Sequence, residues 1–336
     1  MSSDHSPIDR PEGNPGRSHS RSALTDRGGW WQQFAVAWLG RPGRTRNATP
    51  PGAFAARDWP TARALLRNPS AVSGAILLVA LLLVALFAGR LFPGDPLDIV
   101  GQPLLAPGQD PQFWLGTDSL GRDVLAELAH GSRASLMIGT TAALIGVVIG
   151  TLVGALAGYF GGWTDDILMR ITELFQTTPS FLFVIVIVSI TRPSMTTISL
   201  AIGVTTWPTI TRLVRAEFRS LGQSDFVMAA RSLGFGHARI IWREMLPNAL
   251  PPIIVTTSVM VATAILMESA LSFLGMGDPN RVSWGSMIGD GREMLRTAWY
   301  LTALPGGALV VTVLALNLLG DGLNDALNPR FNERSR

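Results

Sequence analysis

The sequence predicts an all-α integral membrane protein with six transmembrane helices and both termini in the cytoplasm. Three observations carry this expectation. Of 336 residues, 47% are hydrophobic and only 15% charged, with a mean hydropathy of +0.31. The apolar residues gather into long runs, where a soluble domain would scatter them. Six runs are long enough for a hydrocarbon layer of about 30 Å, which takes about 20 helical residues. With the N-terminus inside, 20 of the 27 arginines fall on the inner side and 7 on the outer, or 10 against 7 once the long N-terminal tail is discounted.

The tail, residues 1–70, is polar and rich in Pro, Gly, Ser and Arg, a composition that favours disorder. It has no apolar core followed by a small-residue cleavage site, so it is not expected to be a cleaved signal. Trp30, Phe34 and Trp38 repeat at a spacing of four beside Trp31. They would align on one helix face in the headgroup layer, or form a sticky linker with no fixed pose. The transmembrane domain, 71–331, follows, and 332–336 form a short tail.

The spans run over about 71–88, 136–156, 167–190, 198–214, 250–271 and 301–319. Span two has Gly146, Gly150, Gly154, Gly158 and Gly162 at every fourth position. Such a strip lets a second helix approach closely, within this chain in the preferred reading or against another subunit. Span three opens with Glu173, Gln176, Thr177, Thr178 and Pro179, a polar face expected to meet a bundle or water. Outside, residues 115–136 read as a helix along the interface leading into span two, with Asp118 and Arg122 four apart. Trp284 reads as an interfacial anchor.

Between spans four and five lies residues 223–248, amphipathic and far longer than a connection requires. Its length, central Gly234 and terminal Pro247 mark it as a docking element for something outside the membrane. Within the spans, Glu268 is an ionisable group where such groups are costly. It either faces a cavity and receives a cationic group there, or serves as a structural hydrogen-bonding group, the preferred reading. Thr205, Thr206 and Thr209 near Pro208, and Asn317, are weaker candidates for such a cavity.

Several chemistries are set aside. Cysteine is absent, and His5, His19, His130 and His237 lie too far apart for a local metal motif. Lysine is absent as well, so the chain carries no standard phosphate-binding P-loop. No catalytic constellation, metal or nucleic-acid partner is expected.

LLRNPSAVSG, GTDSLGRDVL with GSRASLMIG, AARSLGF followed by MLPN, ESALSFLGMG, and WGSMI followed by NLLGDGLNDALNPR stand in one order along the chain. By these blocks the chain resembles the C-type permease subunit of dipeptide and oligopeptide ABC importers, the OppC/DppC group, over roughly residues 62–331. The resemblance implies the type I ABC importer permease fold and makes 223–248 an EAA loop with a coupling helix. Ala229 and Ala230 match its small pair, Gly234 its turn, and Leu246 with Pro247 its exit, with Arg231 grouped beside them. Met228 stands where the family has glutamate.

The resemblance further implies an importer of dipeptides or oligopeptides in the bacterial cytoplasmic membrane, in which this chain forms half of the translocation pathway; Glu268, Thr205, Thr206 and Asn317 would then be its candidate lining, with a peptide's amino terminus as the cationic group that Glu268 would receive. Its partners would be a homologous second permease of OppB/DppB type, two ATP-binding subunits of OppD/OppF or DppD/DppF type, an extracytoplasmic substrate-binding protein, the peptide and the lipid bilayer. ATP and Mg would be held by the ATPase subunits, and this chain would hold no cofactor. A non-peptide cargo such as nickel or glutathione fits the same architecture. A secondary transporter fits less well, because paired ionisable residues near the midplane are missing.

Overall fold

The structure, a computed structural model, describes residues 68–327. The Trp30–Trp38 segment, the rest of the tail up to 67, and 328–336 lie outside the described residues. Helix α1, Pro69–Leu91, begins where Asn68 Oδ1 accepts the Ser70 N–H at 3.1 Å, with proline in the first turn, where its missing donor costs nothing. It packs against the last helix, α9 (Tyr300–Leu327). Gly74 sits over Ala315 and Leu318, and Ala71 over Gly322.

Residues 92–123 form no helix. The helix expected from 115 begins at Val124, capped by Asp123 Oδ1 on Leu125 N–H at 2.9 Å. The reason is local: Asp118 Oδ1 accepts from Leu120 N–H at 2.8 Å and Arg122 N–H at 2.7 Å, a turn that competes successfully with helix. The Asp118–Arg122 pair forms at 3.9 Å, but across that turn. Tyr300 Oη reaches the carbonyls of Leu105 (2.8 Å) and Thr117 (2.9 Å) and ties the loop to α9.

Helix α2, Val124–Phe160, is a single rod of 37 residues, about 55 Å at 1.5 Å per residue. The single span expected over 167–190 is instead a pair, α3 (Gly162–Thr177) and α4 (Ser180–Ile190), bent by 81°. Pro179 supplies the break: it has no N–H to donate and holds Thr178 in extended backbone, φ −93° and ψ 132°. Helix α5 is Met195–Leu221 and α6 is Asp225–Ser232. Helix α7, His237–Phe273, is a continuous 37-residue helix whose turn Ile240–Met245 is π-helical. A short α8, Trp284–Gly291, precedes α9.

Among the described residues, α1, α2, α7 and α9 are long and apolar enough to cross a membrane, and the α3–α4 pair makes a fifth if counted as one span. The fourth expected span, 198–214, lies in α5, which is long but carries Arg212, Arg215, Glu217 and Arg219 in its last turns.

Glycine spacing positions the two central helices. A Cβ on Gly146 would lie 2.7 Å from Thr206 Oγ1, on Gly150 2.6 Å from Trp207 O, on Gly154 2.5 Å from Thr211 O, and on Gly158 2.7 Å from Phe218 Cβ. All four are therefore places where α5 touches the backbone of α2, and the strip is an internal seam. Gly162 is not part of it: α2 ends at Phe160, and Gly162 meets nothing within 4 Å.

Trp284 is not an interfacial anchor. It is 1% exposed, with its indole N–H donated to Leu128 O at 3.0 Å, and it packs with Val124, Leu136, Ile265 and Tyr300 near the N-terminal end of α2. A ring that finds an internal acceptor for its one donor gains more from full burial than from the headgroup layer.

Candidate functional site

The segment 223–248 folds into two pieces. The first, α6, ends at a left-handed residue: Gly234 has φ +77°, Phe235 N–H reaches Ala230 O at 3.1 Å and Gly234 N–H reaches Arg231 O at 3.0 Å. This pair of bonds is a Schellman cap, and at that φ a side chain would be strained. The second piece runs straight into the membrane. Pro247, expected to end a short helix, sits in the first turn of the α-helical part of α7, and the chain continues helically past it. The π-helical turn just before it shifts the hydrogen-bond ladder, so the one bond that Pro247 cannot donate falls where the two ladders change over.

The helix divides the two alanines. Val227 (0% exposed) and Ala230 (5%) face inward onto Phe218, Ile240, Ile241 and Met245. Ala229 is exposed, as are Met228, Leu233 and, beyond the turn, Trp242. Ala230 therefore seats α6 on its own chain, and Ala229 is the small residue on the outward face. Arg231 is exposed with its guanidinium 5.4 Å from the centre of the Tyr159 ring. Tyr159 Oη lies 2.8 Å from His237 Nδ1, so the end of α2 touches both pieces of the segment. Leu246 is half-buried and Pro247 exposed.

A second anchor at this end went unread in the sequence. Asp165, 2% exposed in the first turn of α3, accepts from Arg215 Nη2 at 2.7 Å and also from Arg215 Nε and Arg219 Nη2. A bidentate guanidinium fork plus a second arginine binds α3 to the last turns of α5. The residues are 50 and 54 apart in the chain, so no local pattern announces them.

Glu268 lies toward the opposite end, with no exposed surface. Its carboxylate accepts from Ser272 at 2.7 Å, Ser135 at 3.3 Å and Ser269 at 3.5 Å, and Ser135 Oγ in turn accepts the Trp284 N–H at 3.3 Å. This is a polar knot joining α2, α7 and α8, with no face turned to a passing solute. Thr205 (8% exposed) and Thr206 return their hydroxyls to Ile202 O and Gly203 O in their own helix, whereas Thr209 and Asn317 are exposed.

Several helices able to cross a membrane, with an amphipathic helix seated on α5 and α7 and turning one face outward, define a multi-pass membrane protein. Residues 150–333 match the family described as binding-protein-dependent transport system inner membrane component, and 59–111 match the N-terminal TM domain of oligopeptide transport permease C. The chain belongs to this family of ABC transporter permeases. It is 36% identical to a dipeptide transport system permease protein DppC of Alkalihalophilus pseudofirmus over 268 residues, 80% of this chain and 88% of the relative. To a glutathione transport system permease protein GsiD of Pectobacterium atrosepticum it is 37% identical over 270 residues, 80% and 90% of the two chains. In fold it is similar to an inward-facing MetNI methionine ABC transporter structure, with a TM-score of 0.51 and 19% identity over 60% of this chain and 96% of that one.

Proposed function

We propose that this chain is one of two permease halves of an ATP-driven importer of dipeptides or oligopeptides in a bacterial cytoplasmic membrane. The observation that carries the reading is the family relationship over four-fifths of the chain, with relatives named for dipeptide and di/tripeptide transport. The relative named for glutathione fits the same class, since glutathione is itself a tripeptide. In this reading six spans cross the bilayer, with the α3–α4 pair and α5 counted as spans three and four, and both termini and α6 are cytoplasmic. The arginine asymmetry supports that orientation.

The mechanical logic follows from α6 and α7. Two ATPase subunits, holding ATP and Mg, draw together and move a groove that grips the outward face formed by Met228, Ala229 and Leu233. Ala229 keeps that face flat enough for close seating. Because α6 is bolted to Ile240, Ile241 and Met245, displacement of α6 passes into α7. Such a lever works only when the ATP-bound closed state of the ATPases favours one bundle state by a few kcal/mol. A second permease chain completes the pathway and a binding protein delivers the peptide. Catalysis belongs to the ATPase subunits and none to this chain.

The test is uptake of labelled peptides into liposomes holding this chain with its second permease and both ATPases. Accumulation should require ATP and the binding protein together. Accumulation by this chain alone would overturn the reading.

A further inference from the structure

A cavity of about 530 Å³ lies between the loop after α1, the early turns of α2, the start of α5 and the segment before α8. Its size falls within the range of about 300–1,000 Å³ typical of small-molecule sites. Asp95, His130, Arg133, Met195, Asn280 and Arg281 line it. Ala134 on its wall is 25 residues before Tyr159, roughly 38 Å along α2 at 1.5 Å per residue, so the cavity opens at the end opposite α6.

Its wall carries two exposed arginines, Arg133 and Arg281. Arg122, by contrast, meets Asp118 and Glu127, while Arg215 and Arg219 meet Asp165. Among the described residues, neither Arg133 nor Arg281 has a carboxylate oxygen within 4.0 Å. The nearby carboxylate of Asp278 is engaged by backbone, accepting Met195 N–H at 3.0 Å and Asn280 N–H at 2.9 Å, and so fixes two walls of the cavity. Asp95 Oδ1 accepts the Leu97 N–H at 3.0 Å. His130 Nε2 lies 3.1 Å from Phe92 O, a bond that requires the nitrogen to donate and pins the loop after α1 onto α2. Two guanidinium forks on one braced cavity suit a carboxylate, which can accept paired bonds from such a fork.

We propose that this cavity is an entry subsite that takes a peptide by its free α-carboxylate, through Arg133 and Arg281. The inference rests on the peptide-import reading and adds to it a chemical requirement on the cargo. An acidic side chain of the binding protein is the other source of a carboxylate, and the experiment separates the two.

The complete complex is reconstituted with the wild-type chain, with Arg281→Gln, and with the double variant Arg133→Gln/Arg281→Gln, and uptake of trialanine is compared with uptake of its C-terminal amide. Any preference of the binding protein cancels in the ratio of variant to wild type for each peptide. The expected result is a loss of about tenfold in uptake efficiency for the free acid in the double variant, about threefold in the single variant, and less than twofold for the amide. The single variant changes only an exposed loop residue and keeps the test open if the double variant does not assemble. Equal losses for both peptides, with more binding protein needed for half-maximal ATPase stimulation, would assign the arginines to binding-protein docking and overturn the proposal. So would no loss at all. Wild-type complex that carries neither peptide would overturn the import reading and the subsite with it.

Discussion

Replacing Gly154 with alanine places one methyl group where α2 and α5 meet backbone to backbone. The new Cβ would stand 2.5 Å from Thr211 O, 2.8 Å from Val214 Cβ and 3.1 Å from Arg215 N. Two of the three are main-chain atoms that cannot rotate away. Reaching an ordinary contact of 3.4 Å from 2.5 Å requires about 0.9 Å of separation, which also loosens the contacts at Gly150 and Gly158. Overpacking of this kind costs about 1–3 kcal/mol. Two main-chain contacts that cannot yield put the cost in the upper part of that range, about 2–3 kcal/mol, of which alanine recovers about 1 kcal/mol through helix propensity, leaving a net loss of roughly 1–2 kcal/mol. At about 2–4 °C per kcal/mol, Tm should fall by roughly 2–8 °C in thermal unfolding of the purified chain in nanodiscs. Gly306→Ala is the control, because it lies within α9 with nothing within 4 Å of its Cβ position. It should leave Tm unchanged or raise it. A Gly154→Ala protein as stable as the wild type would refute the seam.

Three further outcomes follow from the same geometry. Ala229→Arg, on the outward face of α6, should leave Tm within about 1 °C and lower peptide-stimulated ATPase activity of the reconstituted complex at least tenfold, whereas Ala230→Arg, pointing into the core, should lower Tm itself. Full stimulation with Ala229→Arg would remove α6 as the docking face. Asp165→Asn strips the counter-charge from Arg215 and Arg219, which are 29% and 51% exposed at the side chain and so partly hydrated. The expected loss is about 1–3 kcal/mol, short of the full penalty for a buried pair, and is read as a fall in Tm that high salt diminishes. Glu268→Gln should lower stability by about 1–3 kcal/mol, because a donor amide replaces one acceptor oxygen among three serines. Since Glu268 has no exposed surface, KM for peptides should not change, and a shift in KM alone would put it back on the pathway.

What the sequence disclosed depended on whether the signal was local. The glycine strip was readable because helix periodicity alone puts every fourth residue on one side; the structure supplies the partner, α5, and ends the strip at Gly158, because the helix stops before Gly162. The segment 223–248 was equally plain from its polarity and length. The different fates of Ala229 and Ala230 are a matter of helix phase, since residues one apart point about 100° from each other. Val227 three places before Ala230 was the available hint. Asp165, the bond from Ser135 to Glu268 and the buried pose of Trp284 depend on contacts between residues tens to more than a hundred positions apart, which no window of sequence contains, whereas Ser269 and Ser272 stand one and four places from Glu268 and were within reach. At 115–123 the error was one of competition. Two polar residues at helical spacing invited a helix, and an aspartate that satisfies two amides of its own turn prevented it.

The knot around Glu268 fixes where motion can originate. Two helices meet on one carboxylate at that end and a third donates to the serine between them, so separating any of them would strand a desolvated oxygen, hydroxyl or amide at a cost of about 1–3 kcal/mol apiece. That end of the polypeptide therefore behaves as a single block. A channel that alternately opens to each side cannot get its clearance by prying these helices apart. In the two-chain importer proposed above, the sliding joint would then run along the border with the second permease, with this chain as one unyielding jaw.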